Sequence, residues 1–117
     1  MKKILMASAA SMALTGAAGA DGHGGVTLGV MLGFTGPAES LAPGMAAGAE
    51  LAMSEVTESG NLMDGMAVSS VRGDSTCVDA AAATAVAERM ITADNVAGIV
   101  GAQCSGATIA SLTNVAV

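Results

Sequence analysis

Hydrophobic and polar positions fall into blocks along the chain, and the period changes from block to block. Val26–Leu32 (VTLGVML) is apolar on both faces, as a central parallel strand is. A turn cluster follows in Gly33-Phe-Thr-Gly-Pro37. Ser40 or Pro43 then opens a helical stretch to about Ser59. Met45, Ala49, Ala52, Met53 and Val56 recur there as one apolar stripe, with Glu50, Glu55 and Glu58 largely off it. Gly60 is the expected left-handed stop. Met66–Val71 is a second strand, ended by Arg72-Gly-Asp-Ser75. Asp79 is the expected N-cap of a helix from Ala80 to about Ala93, its buried face Ala82, Ala85, Val86 and Met90. Asp94-Asn95 turns the chain into Val96–Gly101, a third and fully apolar strand. Ser105 begins a last helical pattern, with Ile109, Leu112 and Ala116 on one face.

The order β-α-β-α-β-α implies right-handed crossovers and a parallel sheet covered on both faces, an open three-layer α/β sandwich. Three strands make a small sheet, and Val117 follows without a polar tail, so the chain reads as a fragment of a longer protein.

The amino terminus changes the picture. Lys2 and Lys3 precede a mostly apolar run, Ile4–Leu14, and then small residues ending in Ala18-Gly19-Ala20. This is the pattern of a secretory signal peptide, residues 1–20, cleaved before Asp21. The apolar run is shorter than the ~20 residues a membrane span needs, so the chain reads as exported rather than membrane-embedded. Cleavage takes the formal charge from −6 to −8 and leaves Arg72 and Arg89 as the only bases. Such a chain has no electrostatic footprint for nucleic acid or anionic lipid. With 52% hydrophobic and 12% charged residues it is not disordered. The single aromatic, Phe34, weakens any proposal of a base-stacking platform.

Export also governs the cysteines. Cys77 and Cys104 are an even count in an exported chain, which suggests a disulfide. Together with the lone His23 they make no closed zinc site, and no metal or other cofactor is expected. His23 sits in a Gly-rich flexible leader, Asp21–Gly25, which cannot hold a base in place against a nucleophile. Met45 and Met53 on one apolar stripe read as core packing rather than a soft metal site.

Open α/β sheets bind ligands outside the carboxyl ends of their strands. Here those ends carry Gly33–Ser40, Arg72–Cys77 and Ala102–Ser105. Gly29, Gly33 and Gly36 do not make the G-x-G-x-x-G fingerprint, and no phosphate-loop motif is present. Arg72-Gly-Asp74 spells an integrin-binding tripeptide, but a turn after a strand explains it. Asp74 and Asp79 read as a turn residue and a helix cap rather than a catalytic pair. Ser105 stands where the third strand gives way to a helix. The amides of Ser105, Gly106 and Ala107 are then orphan donors suited to an anion, and Gly106 leaves room for close approach. Neutral donors suit one carboxylate, whereas a polyphosphate wants Lys, Arg or a metal. The other reading of Ser105 is a plain N-cap.

Gly36-Pro37, Gly48-Ala49-Glu50-Leu-Ala52, Gly73-Asp74-Ser-Thr-Cys77 and Val100-Gly101-Ala-Gln-Cys104-Ser105 occur in that order. Together they resemble the amino-terminal lobe of periplasmic leucine/isoleucine/valine-binding proteins, the substrate-binding subunits of branched-chain amino-acid ABC transporters. The resemblance covers essentially all of Val26–Val117. It implies a type I periplasmic binding protein, whose two α/β lobes close around a ligand at a hinge. Residues 26–117 would be an incomplete lobe one. Cys77 and Cys104 resemble that lobe's disulfide, and both follow strand ends on one rim of the sheet. Ser105 resembles the serine that binds the ligand's α-carboxylate, and Gly106 follows it. Leu41 stands where some members place a tyrosine against the ligand side chain, a departure that bears on aliphatic specificity.

The resulting expectation is a non-enzymatic periplasmic protein that captures an amino acid of branched-chain type and delivers it to a membrane ABC permease. Two rivals stand beside it. One is a binding protein of the same fold for an amide, urea or aromatic acid. The other is a dinucleotide-fold oxidoreductase, disfavoured because an exported chain lacks a cytosolic cofactor pool.

Overall fold

The computed structural model describes residues 24–116. The signal peptide expected over residues 1–20, and residues 21–23 of the leader with His23, lie outside the described residues. Strand β1 is Val26–Leu32, helix α1 Ala42–Ser59, strand β2 Val68–Asp74, helix α2 Ala80–Thr92, strand β3 Gly98–Gly101 and helix α3 Ser105–Ser111. Leu112–Ala116 continues α3 as a wider π-type turn. The sheet is parallel with order β2-β1-β3.

Strand β1 is central, and its alternation divides the interior in two. Val30 and Leu32 point into a cluster with Ala42, Ala46 and Met53 of α1. Met31 points the other way, into a cluster with Ala83, Ala87 and Met90 of α2, Ala102, and Ala107 of α3. Helices therefore cover both faces, as the apolar strand pattern requires. Glycine lets α2 close on the sheet. A Cβ at Gly73 would lie 2.5 Å from Met90 Cε and from Val86 Cγ1. One at Gly29 would lie 2.8 Å from Met90 Sδ.

Two expected caps are present. Gly60 ends α1 at φ 65°. Asp79 accepts from the amides of Ala81 and Ala82 at 2.9 and 3.0 Å.

The helix faces differ from the sequence pattern. Met53 and Met90 are buried as expected, but alanines take the rest of the side facing the sheet. In α1 the buried residues are Ala42, Ala46 and Met53, while Met45 is 47% exposed and Ala52 and Val56 are also exposed. In α2 the buried line is Ala83, Ala87 and Met90, while Ala85 is exposed. In α3, Ala107 and Ser111 are buried and Ile109 and Leu112 are exposed. Small side chains let a helix axis approach the sheet closely, and one methionine in each of α1 and α2 fills the space beside the alanines.

Strand β2 also begins and ends later than expected. Arg72-Gly-Asp74 lies within it, paired in register with Val30, Met31 and Leu32. Arg72 is held there by a bidentate pair with Glu50, 2.7 Å at each bond, and lies 5.5 Å from the Phe34 ring centroid. The tripeptide is a strand end, not a turn. Strand β3 is shorter than its apolar run, because Val96 and Ala97 form the approach to the strand.

Candidate functional site

The parallel arrangement brings all three expected loops to one rim. The loop after β1 runs from Gly33 to Leu41, the loop after β2 from Ser75 to Asp79, and the loop after β3 from Ala102 to Cys104.

These loops are tied to one another mainly by side chains. Ser75 is fully buried. Its amide donates to the Leu32 carbonyl at 2.8 Å and its hydroxyl to the Ala102 carbonyl at 3.3 Å, so it bridges the ends of all three strands. Asp74 accepts from Thr35 Oγ1 at 2.6 Å and from the Thr76 amide at 2.9 Å. Partial burial works against the charge on Asp74. The bonds from Thr35 and Thr76 and from the Phe34 amide outweigh it, and hold the carboxyl below the usual carboxylate range. Gly36, at φ 88°, lets the first loop pass close over the second, since a Cβ there would sit 2.6 Å from the Thr76 carbonyl oxygen.

Cys77 and Cys104 are joined, their Cα atoms 5.2 Å apart. The disulfide fastens the second loop to the third, next to α3. Gln103 reaches the first loop, its Oε1 accepting the Gly33 amide at 2.9 Å.

Cys104 is the N-cap of α3 and makes no side-chain capping bond; Ser105 is the first helical residue. The alternative reading of Ser105 as a plain N-cap is thereby corrected. Its side chain is exposed and, among the described residues, has no hydrogen-bond partner, nor do the amides of Ser105, Gly106 and Ala107 have protein acceptors. A Cβ on Gly106 would meet nothing within 4 Å, so the space over this end is open. Leu41 is 62% exposed at the amino end of α1, with no side-chain capping bond.

Both cations among the described residues are already paired, Arg72 with Glu50 and Arg89 with Asp94. An anion at the rim would therefore meet neutral donors. Among the described residues no cluster of His, Cys, Asp and Glu is fit for a metal, and no helix is long and apolar enough to cross a membrane.

The ties through Ser75, Asp74 and Gln103 escaped the sequence pattern. Their only signal was a polar residue at the end of a strand or within two positions after it, Asp74 and Ser75 at β2 and Gln103 past β3, places equally common in plain turns.

A parallel open sheet whose loops gather at one carboxyl rim is the architecture of an α/β ligand-binding lobe. The sequence matches the periplasmic binding protein family over residues 25–116, and the chain belongs to that family. It is 36% identical over 111 residues to the Leu/Ile/Val-binding protein homolog 7 of Brucella melitensis biotype 1. That match takes in 95% of this chain and 27% of the relative, so the chain spans about a quarter of the length of the curated relatives it matches. Among solved structures it resembles the branched-chain amino acid transporter substrate binding protein LivJ from Streptococcus pneumoniae, in complex with isoleucine. The TM-score is 0.70 and the identity 27%, covering 79% of this chain and 26% of that one. It shares its fold with a solute binding protein of R. palustris in complex with benzoate, at TM-score 0.63 and 23% identity, over 77% of this chain and 24% of that one.

Proposed function

We propose that this chain supplies the first part of lobe one of a periplasmic solute-binding protein. It captures an amino acid of branched-chain type and hands it to a membrane ABC permease. The protein binds and delivers without chemical conversion. The observation that carries this reading is the α3 end at the rim, where the Ser105 hydroxyl and the neighbouring amides are free and the space over Gly106 is open. Neutral, preorganised donors fit the single negative charge of an α-carboxylate. The exposed Leu41 is the residue we assign to the ligand side chain. Cleavage after Ala20 would place the protein in the periplasm, and the intact mass of the exported product tests it.

Calorimetric titration of the full-length protein with leucine, isoleucine and valine, beside urea, an amide, benzoate and NADH, tests the reading. Saturable heat with the branched-chain amino acids is the expected result. Binding of only an aromatic acid, an amide or urea would move the protein to another ligand class. Binding of NADH would overturn the solute-binding reading.

A further inference from the structure

We propose that Gln103 is a positioning residue for ligand selectivity. It would set where the Gly33–Leu41 loop stands relative to Ser105, and so the room left for the ligand side chain. The inference rests on the proposed amino-acid site.

The three rim loops converge at Gly33. Gln103 Oε1 accepts the Gly33 amide at 2.9 Å, linking positions 70 residues apart. A Cβ on Gly33 would sit 3.0 Å from Cys77 Sγ and 3.5 Å from Gln103 Oε1, so the disulfide and the carboxamide press on the same point. Because Gly33 offers an N–H, the atom facing it must be the carboxamide oxygen, which fixes the orientation of the amide.

The backbone of Gln103 is held just as firmly. Its φ is 72°, and the Cys104 amide closes a three-residue turn on the Ala102 carbonyl at 2.9 Å. A side-chain-bearing residue rarely adopts this conformation, and surrounding contacts must hold it there. Cys104 caps α3 and Ser105 opens it, so the turn that aims the Gln103 side chain also aims the start of the helix. One residue thus joins the helix end assigned to the ligand's carboxylate with the loop leading to Leu41. The disulfide cannot do this, because it ties only the second and third loops.

The test compares wild-type full-length protein with Gln103→Met and Gln103→Glu, titrated with L-isoleucine and L-alanine and melted in parallel. Methionine keeps the length and loses the carbonyl; glutamate keeps an acceptor oxygen for Gly33. The quantity read is the ratio of the two affinities, in which a uniform change of carboxylate binding cancels. A net hydrogen bond corresponds to about a 2- to 10-fold change, so Gln103→Met should narrow the isoleucine preference by that factor and Gln103→Glu should restore it. A lower Tm with the ratio unchanged in Gln103→Met makes the bond a stability contact and overturns the proposal. An equal fall of the ratio in both variants also overturns it. A wild type that binds both probes without preference overturns it alone, whereas one that binds neither overturns the functional reading with it. Should Gln103→Met fail to fold, Gln103→Asn, one methylene too short to reach Gly33, is read the same way.

Discussion

Thr35 Oγ1 donates to Asp74 Oδ2 at 2.6 Å, fastening the loop after β1 to the last residue of β2 across 39 positions of sequence. The same carboxylate accepts the Thr76 amide, so one charge organises two of the three rim loops.

That arrangement sets a pH dependence. The folded protein holds the Asp74 carboxyl below the ordinary value, because its hydrogen bonds outweigh its partial burial. Protons then bind the unfolded chain more readily, and the stabilisation is complete above the ordinary carboxylate pKa of about 3.9. It is lost as pH falls through the folded value. Asp74→Asn should therefore lower stability at neutral pH, by about 1.5 kcal/mol for a charge-assisted bond that water still reaches. The gap from wild type should close in strong acid. Denaturant midpoints across a pH series check this, and a gap independent of pH would contradict it.

The disulfide should matter more. Cys77 and Cys104 are 27 residues apart, and closing a loop of that length is worth about 3.5 kcal/mol in the chain-entropy model. Unreduced exported protein should show no free thiol, and reduction should lower Tm. Reactive thiols before reduction would exclude the bond in the exported protein.

A third expectation concerns the seam between β2 and α2. Gly73→Ala would place a methyl group on Val86 and Met90, overpacking that usually costs about 1–3 kcal/mol. Combined with Val86→Ala, it should cost less than the sum of the two separate changes, because one of the two crowded atoms is gone. Strict additivity in urea midpoints would show that α2 moves aside freely.

Much of the fold was legible because β1 is apolar on both faces apart from Thr27 near its start, as a central parallel strand is, and because the run into β3 is apolar throughout. Gly60 and Asp79 were legible for a local reason, since a cap depends on its own residue and the next few backbone groups. The helix faces were less so. Met53 and Met90 are buried as their spacing suggested, but Met45, Val56 and Ile109 fit a stripe by hydropathy and are exposed, because alanines let the helices pack close. The Gly33–Gln103 bond was not legible, because it depends on a left-handed residue and on a neighbour 70 positions away. Ser105 lay between: its place at a strand-to-helix junction was visible, but its exact helical position was not.

That position sharpens the last prediction. A serine at the N-cap accepts an amide bond, and its loss costs the helix about 1 kcal/mol. Ser105 is instead the first helical residue, with a free hydroxyl, while Cys104 caps the helix. Ser105→Ala should therefore leave Tm close to wild type. In the full-length protein its effect should fall on the ligand, where losing one charge-assisted hydrogen bond costs about 1.5–3 kcal/mol, or roughly 10- to 150-fold in affinity. Titration of wild type and variant with leucine, isoleucine and valine, beside a melt, separates the two roles. A weakened affinity at constant Tm places the hydroxyl on the ligand. A lowered Tm with affinity intact returns Ser105 to the fold, and the carboxylate must then be held by the amides or by another residue.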